Sequence, residues 1–170
     1  MTVIDIHTHA YTRKYLEILR EQGGDYGLKI RPDGFEEIFK GETPVAFPQP
    51  GHFDYDIRIR QMDDTAIDMS IVSLTCPNVY WGGKNTSIMA AQESNNAMAE
   101  AQTAYPDRLR WFTSLPWEYP DAAIEELERS CAIGAVGVMV LANVAGRSLT
   151  DSFFCEIALA IATVFFSPKN

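Results

Sequence analysis

The sequence has little positive charge. Its 14 lysines and arginines are outnumbered by 23 aspartates and glutamates, which gives a formal net charge of -9. A chain this acidic is not attracted to phosphate backbones or anionic lipid, so no nucleic-acid or membrane partner is expected. Long hydrophobic runs are missing too, because the longest one, 157–166, is far shorter than the roughly 20 residues that a membrane span requires.

Cysteine is also scarce, with only Cys76, Cys131 and Cys155 at wide spacings. The absence of any CxxC pair argues against a cysteine zinc cluster and a disulfide framework. The amino terminus has neither the basic nor the apolar segment of a secretory signal peptide. We therefore expect a cytoplasmic protein with reduced thiols.

No glycine-rich phosphate-binding loop follows any predicted strand, which argues against a nucleotide-binding fold.

What the chain does contain is 46% apolar and 22% charged residues in 170 positions. This composition is globular, and the length suits one domain spanning 1–170.

Short apolar runs alternate with helix-forming segments along most of the chain. This alternation predicts an α/β fold in which helical crossovers join parallel strands. The predicted strands are 3–9, 69–75, 109–115, 135–141 and 163–166, and the predicted helices are 15–21, 56–66, 86–104, 121–132 and 150–160. About four and a half βα units are present, whereas a closed (β/α)8 barrel needs eight. An open parallel sheet is the alternative fold.

Residues 24–53 interrupt the alternation as a long excursion after the first strand and helix. The segment contains Pro32, Pro44, Pro48 and Pro50 and shows no sustained periodicity. Long excursions in compact domains tend to be functional covers or unstructured segments. A short hairpin at 29–39 is the regular structure predicted within it.

Two of the three histidines lie on the first predicted strand. Because side chains alternate along a strand, Asp5, His7 and His9 share one face. Ile4 and Ile6 on the opposite face indicate a buried strand. The active sites of α/β barrels form at the carboxyl ends of the strands, so His7 and His9 are predicted to bind a divalent metal there.

His7 and His9 on a first strand, preceded by Asp5, resemble the opening of the amidohydrolase superfamily. Further segments resemble its amidohydrolase-related decarboxylase branch, which includes aminocarboxymuconate semialdehyde decarboxylase and γ-resorcylate decarboxylase. These segments are RIRQMD at 58–63, IDMSIVS at 67–73, NN at 95–96, YPDRL at 105–109, GAVGV at 134–138 and LTD at 149–151. The resemblance covers nearly the whole chain and implies the amino-terminal part of a TIM-type barrel.

The resemblance implies that His7 and His9 bind a divalent metal, with zinc as the first expectation and manganese as the second. The family's third ligand is a histidine that closes the fifth strand, and the corresponding run at 164–168 has Ser167 instead. The family's acid/base histidine and aspartate ligand would follow residue 170. The resemblance therefore implies a domain that is incomplete at its carboxyl terminus, with impaired activity.

By resemblance the activity is a metal-dependent, non-oxidative decarboxylation of a small aromatic or muconate-like carboxylic acid. A hydrolase of the same superfamily is an alternative, because the same metal site polarises water or a carbonyl group. A non-catalytic fragment is the other alternative. A partial barrel also exposes apolar faces, which a homodimer would cover.

Arg58 and Trp81 are the candidate substrate-binding residues. The Arg58 guanidinium can hold a carboxylate through two hydrogen bonds, although its helical position favours a solvent-exposed face or a salt bridge. Trp81 follows the second long strand beside Tyr80, where it can line a pocket mouth or simply pack. Asn143, after the fourth long strand, is a weaker candidate, and His52 is interpreted as an ordinary loop histidine.

Overall fold

A computed structural model of the protein describes residues 1–166. The strands are β1 (Ile4–His9), β2 (Tyr26–Ile30), β3 (Glu36–Lys40), β4 (Thr43–Ala46), β5 (Met69–Ser73), β6 (Leu109–Thr113), β7 (Gly137–Val138), β8 (Asn143–Val144) and β9 (Arg147–Ser148). The helices are α1 (Arg13–Gln22), α2 (Tyr55–Asp64), α3 (Lys84–Ala104), α4 (Pro120–Ala132) and α5 (Cys155–Phe166), with 3-10 turns at Pro50–His52 and Ser152–Phe154. None of the helices within residues 1–166 is long and apolar enough to cross a membrane.

The central sheet has the strand order β1-β5-β6-β7, and each neighbouring pair is parallel. In this sheet the spatial order follows the chain order. A β/α barrel has such an order, whereas a doubly wound open sheet reverses its order at a switch point. The arrangement is therefore that of successive units of a partial barrel and does not fit the doubly wound alternative.

The predicted fifth strand at 163–166 is wrong, because these residues continue α5. No glycine or proline interrupts the chain between 155 and 166, so nothing ends the helix. Ile157, Ile161 and Val164 recur at helical spacing and belong to the apolar cluster that contains Leu127 of α4. This packing outweighs the strand preference of the β-branched residues near 163.

The helix predicted at 150–160 begins later than expected, at Cys155. A 3-10 turn precedes it, and Asp151 caps that turn by accepting a hydrogen bond from the backbone N–H of Phe153 at 2.9 Å. Asp151 therefore caps the 3-10 turn and not α5 itself.

The 24–53 excursion is folded and contains a small sheet of its own. Strands β2, β3 and β4 form a three-stranded antiparallel sheet, which confirms the predicted hairpin and extends it by one strand. Ile38 of β3 is fully buried in one cluster with Tyr15, Leu16 and Leu19 of α1. Burying these side chains together fixes the small sheet to the first helix.

A buried polar network joins α3 and α4 to the end of β6. Asn95 donates to the Ser114 carbonyl at 2.9 Å and to Glu126 Oε1 at 2.6 Å, and it accepts from the Ser114 N–H at 2.9 Å. Glu126 also accepts from Ser130 Oγ at 3.1 Å and from Arg129 Nε and Nη2 at 2.7 Å each. Only 3% of Glu126 is exposed, so these contacts replace the water that its carboxylate has lost.

Candidate metal centre

The imidazole rings of His7 and His9 lie side by side at the carboxyl end of β1. Their centroids are 5.1 Å apart and their planes meet at 68°. The pairing register shifts between Asp5 and Thr8, where β1 advances one residue further than β5. The backbone N–H of His7 donates to Asp5 Oδ1 at 2.9 Å. The carboxylate of Asp5 thus satisfies a backbone group at the irregular step.

The opposite face of β1 is not buried within the described part of the chain. Ile4 is 49% exposed and Ile6 is 65% exposed, so the prediction of a buried strand is wrong for these residues. The reason is the place of β1 at the edge of the sheet, where β5 is its hydrogen-bonded neighbour within residues 1–166.

The ring of His9 has the properties of a metal ligand. Its Nδ1 atom is buried and no group of the described chain lies in hydrogen-bond geometry with it. Burial lowers the pKa of His9 and the neighbouring His7 lowers it further, although the Ser73 backbone is close enough to the ring to raise the pKa in part. The ring is therefore neutral at physiological pH, as metal binding requires. A bound cation would satisfy the buried nitrogen, which otherwise loses its hydrogen bond to water.

The donor set described by the structure is incomplete. Within residues 1–166, no group of three or more His, Cys, Asp and Glu side chains is placed to hold a metal ion. Ser167, at the position that the resemblance gives to a third ligand, lies outside the described residues. His7 and His9 therefore fit a divalent cation as part of its ligand set.

Arg58 fixes the end of β1 from the side of α2. It is 5% exposed, so the expectation of a solvent-exposed face is wrong. Its guanidinium donates to Thr8 Oγ1 and to the carbonyl of His9, and burial lowers its pKa. These contacts hold the backbone that carries His9. A contact between Arg58 and a substrate carboxylate stays a prediction.

His52 lies beside His9, a proximity that the sequence did not indicate. Their ring centroids are 6.5 Å apart, and the His52 ring is 5.9 Å from that of Tyr11. The carbonyl of His52 accepts a hydrogen bond from the Tyr11 N–H at 2.9 Å. Burial, followed by the positive charge of Arg58 and the proximity of the His9 ring, lowers the pKa of His52 to about 4. The ring is therefore neutral at physiological pH.

Trp81 lines a cavity of about 590 Å³ near the carboxyl ends of β5 and β7. Tyr80 and Asn143 line the same cavity, as do Asp25 and Lys40 from the excursion. His7, His9 and Arg58 do not line it. The structure therefore brings the three candidates that follow strands together, and the paired histidines are not part of the cavity lining.

Trp81 is also a packed residue, as the second interpretation of the sequence suggested. Its Nε1 donates to the carbonyl of Asn78 at 2.8 Å, and its ring contacts that of Tyr15 at 5.7 Å. Tyr11 connects the two regions, because its ring contacts His52 and its hydroxyl donates to the carbonyl of Cys76 at 2.9 Å. Cys76 is itself a lining residue of the cavity.

No family model matches the chain. A γ-resorcylate decarboxylase from Rhodococcus jostii (strain RHA1) is 39% identical over 87 residues, which are 50% of this chain and 26% of that protein. A 2-amino-3-carboxymuconate-6-semialdehyde decarboxylase from Dictyostelium discoideum is 27% identical over 186 aligned positions, which cover 97% of this chain and 48% of that protein.

A solved structure of similar shape is 5-carboxyvanillate decarboxylase from Novosphingobium aromaticivorans DSM 12444, complexed with manganese and 4-hydroxy-3-methoxy-5-nitrobenzoic acid. It matches with a TM-score of 0.75 at 22% identity, over 96% of this chain and 48% of its own. The match confirms the partial barrel. In each of these comparisons the chain spans about half the length of the other protein or less.

Proposed function

We propose that the chain, which is similar in sequence to decarboxylases of the amidohydrolase superfamily, supplies part of the metal centre of a non-oxidative decarboxylase. The proposed substrate is a small aromatic or muconate-like carboxylic acid. The observation that carries the proposal is the pair of adjacent rings, His7 and His9, with a buried and unpartnered nitrogen on His9.

His7 and His9 would hold a divalent cation. Imidazole nitrogen suits both zinc, which the family resemblance implies, and manganese, which the Novosphingobium structure contains. When bound, the cation would act as a Lewis acid on the substrate oxygens and stabilise the negative charge that develops as carbon dioxide leaves. We propose that the remaining ligands come from residues outside 1–166.

The surrounding residues have two roles in this proposal. Arg58 keeps the end of β1 in place through the carbonyl of His9, so that both imidazoles keep their relative position. The cavity beside Trp81 and Tyr80 offers aromatic walls and about 590 Å³, which is within the range of small-molecule sites. We propose that it receives the non-reacting part of the substrate.

The first test is an equilibrium titration of the purified chain with Mn²⁺ or Zn²⁺, in which the bound metal is measured. We expect up to one ion per chain, held more weakly than by a complete ligand set because the described residues supply two imidazoles, and a loss of that ion when His7 and His9 are both replaced by alanine. Glu128→Ala, an exposed change on α4, is the matched control. Metal at background in the unmodified chain would refute the proposed centre.

The second test is the reaction itself. Metal-dependent release of carbon dioxide from 2,6-dihydroxybenzoate or 5-carboxyvanillate, lost in His7→Ala, would support decarboxylation. Hydrolysis of an ester or amide without carbon dioxide release would favour the hydrolase alternative. Bound metal without either activity would favour a non-catalytic fragment.

A further inference from the structure

One ring nitrogen of His52 has no role in the fold. Its Nδ1 accepts a hydrogen bond from the backbone N–H of Gln49 at 3.1 Å and so completes a capping box in the 3-10 turn. Its Nε2 has no hydrogen-bond partner within residues 1–166. Capping therefore explains Nδ1 alone and leaves the other nitrogen available beside the metal centre.

The contact with Gln49 determines the tautomer of His52. An imidazole nitrogen that accepts a hydrogen bond carries no proton, so the proton of the neutral ring is on Nε2. Protonated Nε2 donates a hydrogen bond and has no lone pair for a metal ion. His52 is therefore suited to an oxygen of a ligand and not to the cation itself, although its ring lies only 6.5 Å from that of His9.

The charges around His52 favour an anion. Arg58 and His9 are the groups that act on it electrostatically, and no carboxylate is among them. A cation held by His7 and His9 would add further positive charge. The guanidinium of Arg58 donates through Nη1 and Nη2 to Thr8 and to the carbonyl of His9, and its buried Nε–H has no acceptor in the described chain. The His52 Nε2–H is a second donor at this place, and no acceptor for it lies within the described chain.

We infer that His52 donates a hydrogen bond from Nε2–H to an anionic oxygen of an aromatic acid bound at the metal centre. This inference rests on the proposed function, since the acid is held there by the ion on His7 and His9. His52 is then a substrate-binding residue that favours ligands with a carboxylate or phenolate oxygen at this position. The 24–53 excursion, which ends in the turn Pro50–His52 and Phe53, takes part in recognition through it.

Two substitutions distinguish the donor role of the His52 Nε2–H from the capping role of its Nδ1. His52→Asn places an amide oxygen near the position of Nδ1, which keeps the cap and removes the donor. His52→Gln places an amide nitrogen near the position of Nε2, which keeps a donor. Each variant of the full chain is titrated with Mn²⁺ and then, at saturating Mn²⁺, with 4-hydroxy-3-methoxy-5-nitrobenzoic acid. Thermal midpoints are measured on the same samples.

For His52→Asn we expect the Kd of the nitrobenzoic acid to rise about tenfold or more, because a hydrogen bond to a charged oxygen is lost. Its Kd for Mn²⁺ and its thermal midpoint should stay close to those of the unmodified chain. For His52→Gln we expect the acid to bind within about threefold of the unmodified chain, because an amide N–H donor is retained.

Other results would overturn the inference in distinguishable ways. If the unmodified chain binds Mn²⁺ and the acid, and His52→Asn binds the acid equally well, the inference fails and the proposed function stands. If His52→Asn loses Mn²⁺ affinity, His52 is a ligand and not a donor. If the unmodified chain shows no Mn²⁺ binding that depends on His7, the proposed function fails and this inference fails with it.

Discussion

Replacing Glu126 with alanine tests the network that joins α3, α4 and β6. The substitution removes the acceptor of four hydrogen bonds, from Asn95, Ser130 and two nitrogens of Arg129. Asn95 keeps its second acceptor, the Ser114 carbonyl, and Arg129 is 34% exposed, so water can solvate its guanidinium. The main penalties are the loss of an acceptor for the buried Ser130 hydroxyl, the weakened contact of Asn95 and the cavity left by the side chain.

An unsatisfied buried polar group costs about 1–3 kcal/mol, and the exposed part of the Arg129 contact adds little. We therefore expect Glu126→Ala to lower the free energy of unfolding by about 3 kcal/mol. For a chain of this size that corresponds to a fall of roughly 6–12 °C in the thermal midpoint. The free energy of unfolding of Glu126→Gln should lie between that of the unmodified chain and that of Glu126→Ala, because the glutamine amide nitrogen must face a donor nitrogen of Arg129 or the other donors of the network.

The assay is urea denaturation followed by circular dichroism, which yields the midpoint and the slope for each variant. Glu125→Ala and Glu128→Ala on the same helix are exposed controls, and each should change the free energy of unfolding by less than about 0.5 kcal/mol. A midpoint for Glu126→Ala equal to those of the two controls would show that the network does not contribute to stability.

Three further predictions concern stability and the metal centre. Gly82→Ala should lower the free energy of unfolding by about 3 kcal/mol in urea denaturation, because φ is +74° and a Cβ would lie 2.6 Å from Thr86 Cγ2. Gly146→Ala, at φ +80° in open space, should lower it by about 1 kcal/mol. Equal costs would rule out the steric contribution. In the metal-free chain, the thermal midpoint should fall as the pH drops from 6.5 towards 4, because in this pH range His52 takes up a proton in the unfolded chain and stays neutral in the folded one. A His52→Gln variant whose thermal midpoint falls with pH as steeply as that of the unmodified chain would contradict this. Arg58→Lys should lower the free energy of unfolding by about 1–2 kcal/mol and weaken Mn²⁺ binding, because lysine cannot donate to both acceptors of the guanidinium. An unchanged Mn²⁺ affinity would show that Arg58 does not support the metal centre.

The fold could be predicted from local patterns where the pattern and the tertiary packing agree. The segment predicted as strand 69–75 is observed as Met69–Ser73, and the helix predicted at 86–104 is observed as Lys84–Ala104. The strand predicted at 135–141 shrinks to Gly137–Val138, because it lies at the edge of the sheet in the described chain and pairs only with β6. The failure at 163–166 has a different cause, since an apolar run suits both a strand and a buried helix until its neighbours are known.

The candidate site also has features that local patterns predict and features that depend on tertiary contacts. The pairing of His7 and His9 follows from their spacing on one strand, and the sequence was sufficient to predict it. The irregular step between Asp5 and Thr8 depends on the register with β5, which no local pattern fixes. The position of His52 depends on how the excursion returns to the chain after β1, and a lone histidine between glycine and phenylalanine carries no signal of that.

Three attachments from different parts of the chain hold the end of β1, and they make the metal site depend on the folded state. Arg58 of α2 bonds the carbonyl of His9, the N–H of Ala10 donates to the carbonyl of Ser73 at 3.0 Å, and the N–H of Tyr11 donates to the carbonyl of His52 at 2.9 Å. These contacts come from segments far apart in the sequence, so the two imidazoles are oriented only once α2, β5 and the excursion have assembled. A metal ion that needs both rings would therefore bind the folded chain and not the unfolded one, which links metal affinity to fold stability. Substitutions that loosen any of the three attachments should weaken metal binding even where they touch neither histidine.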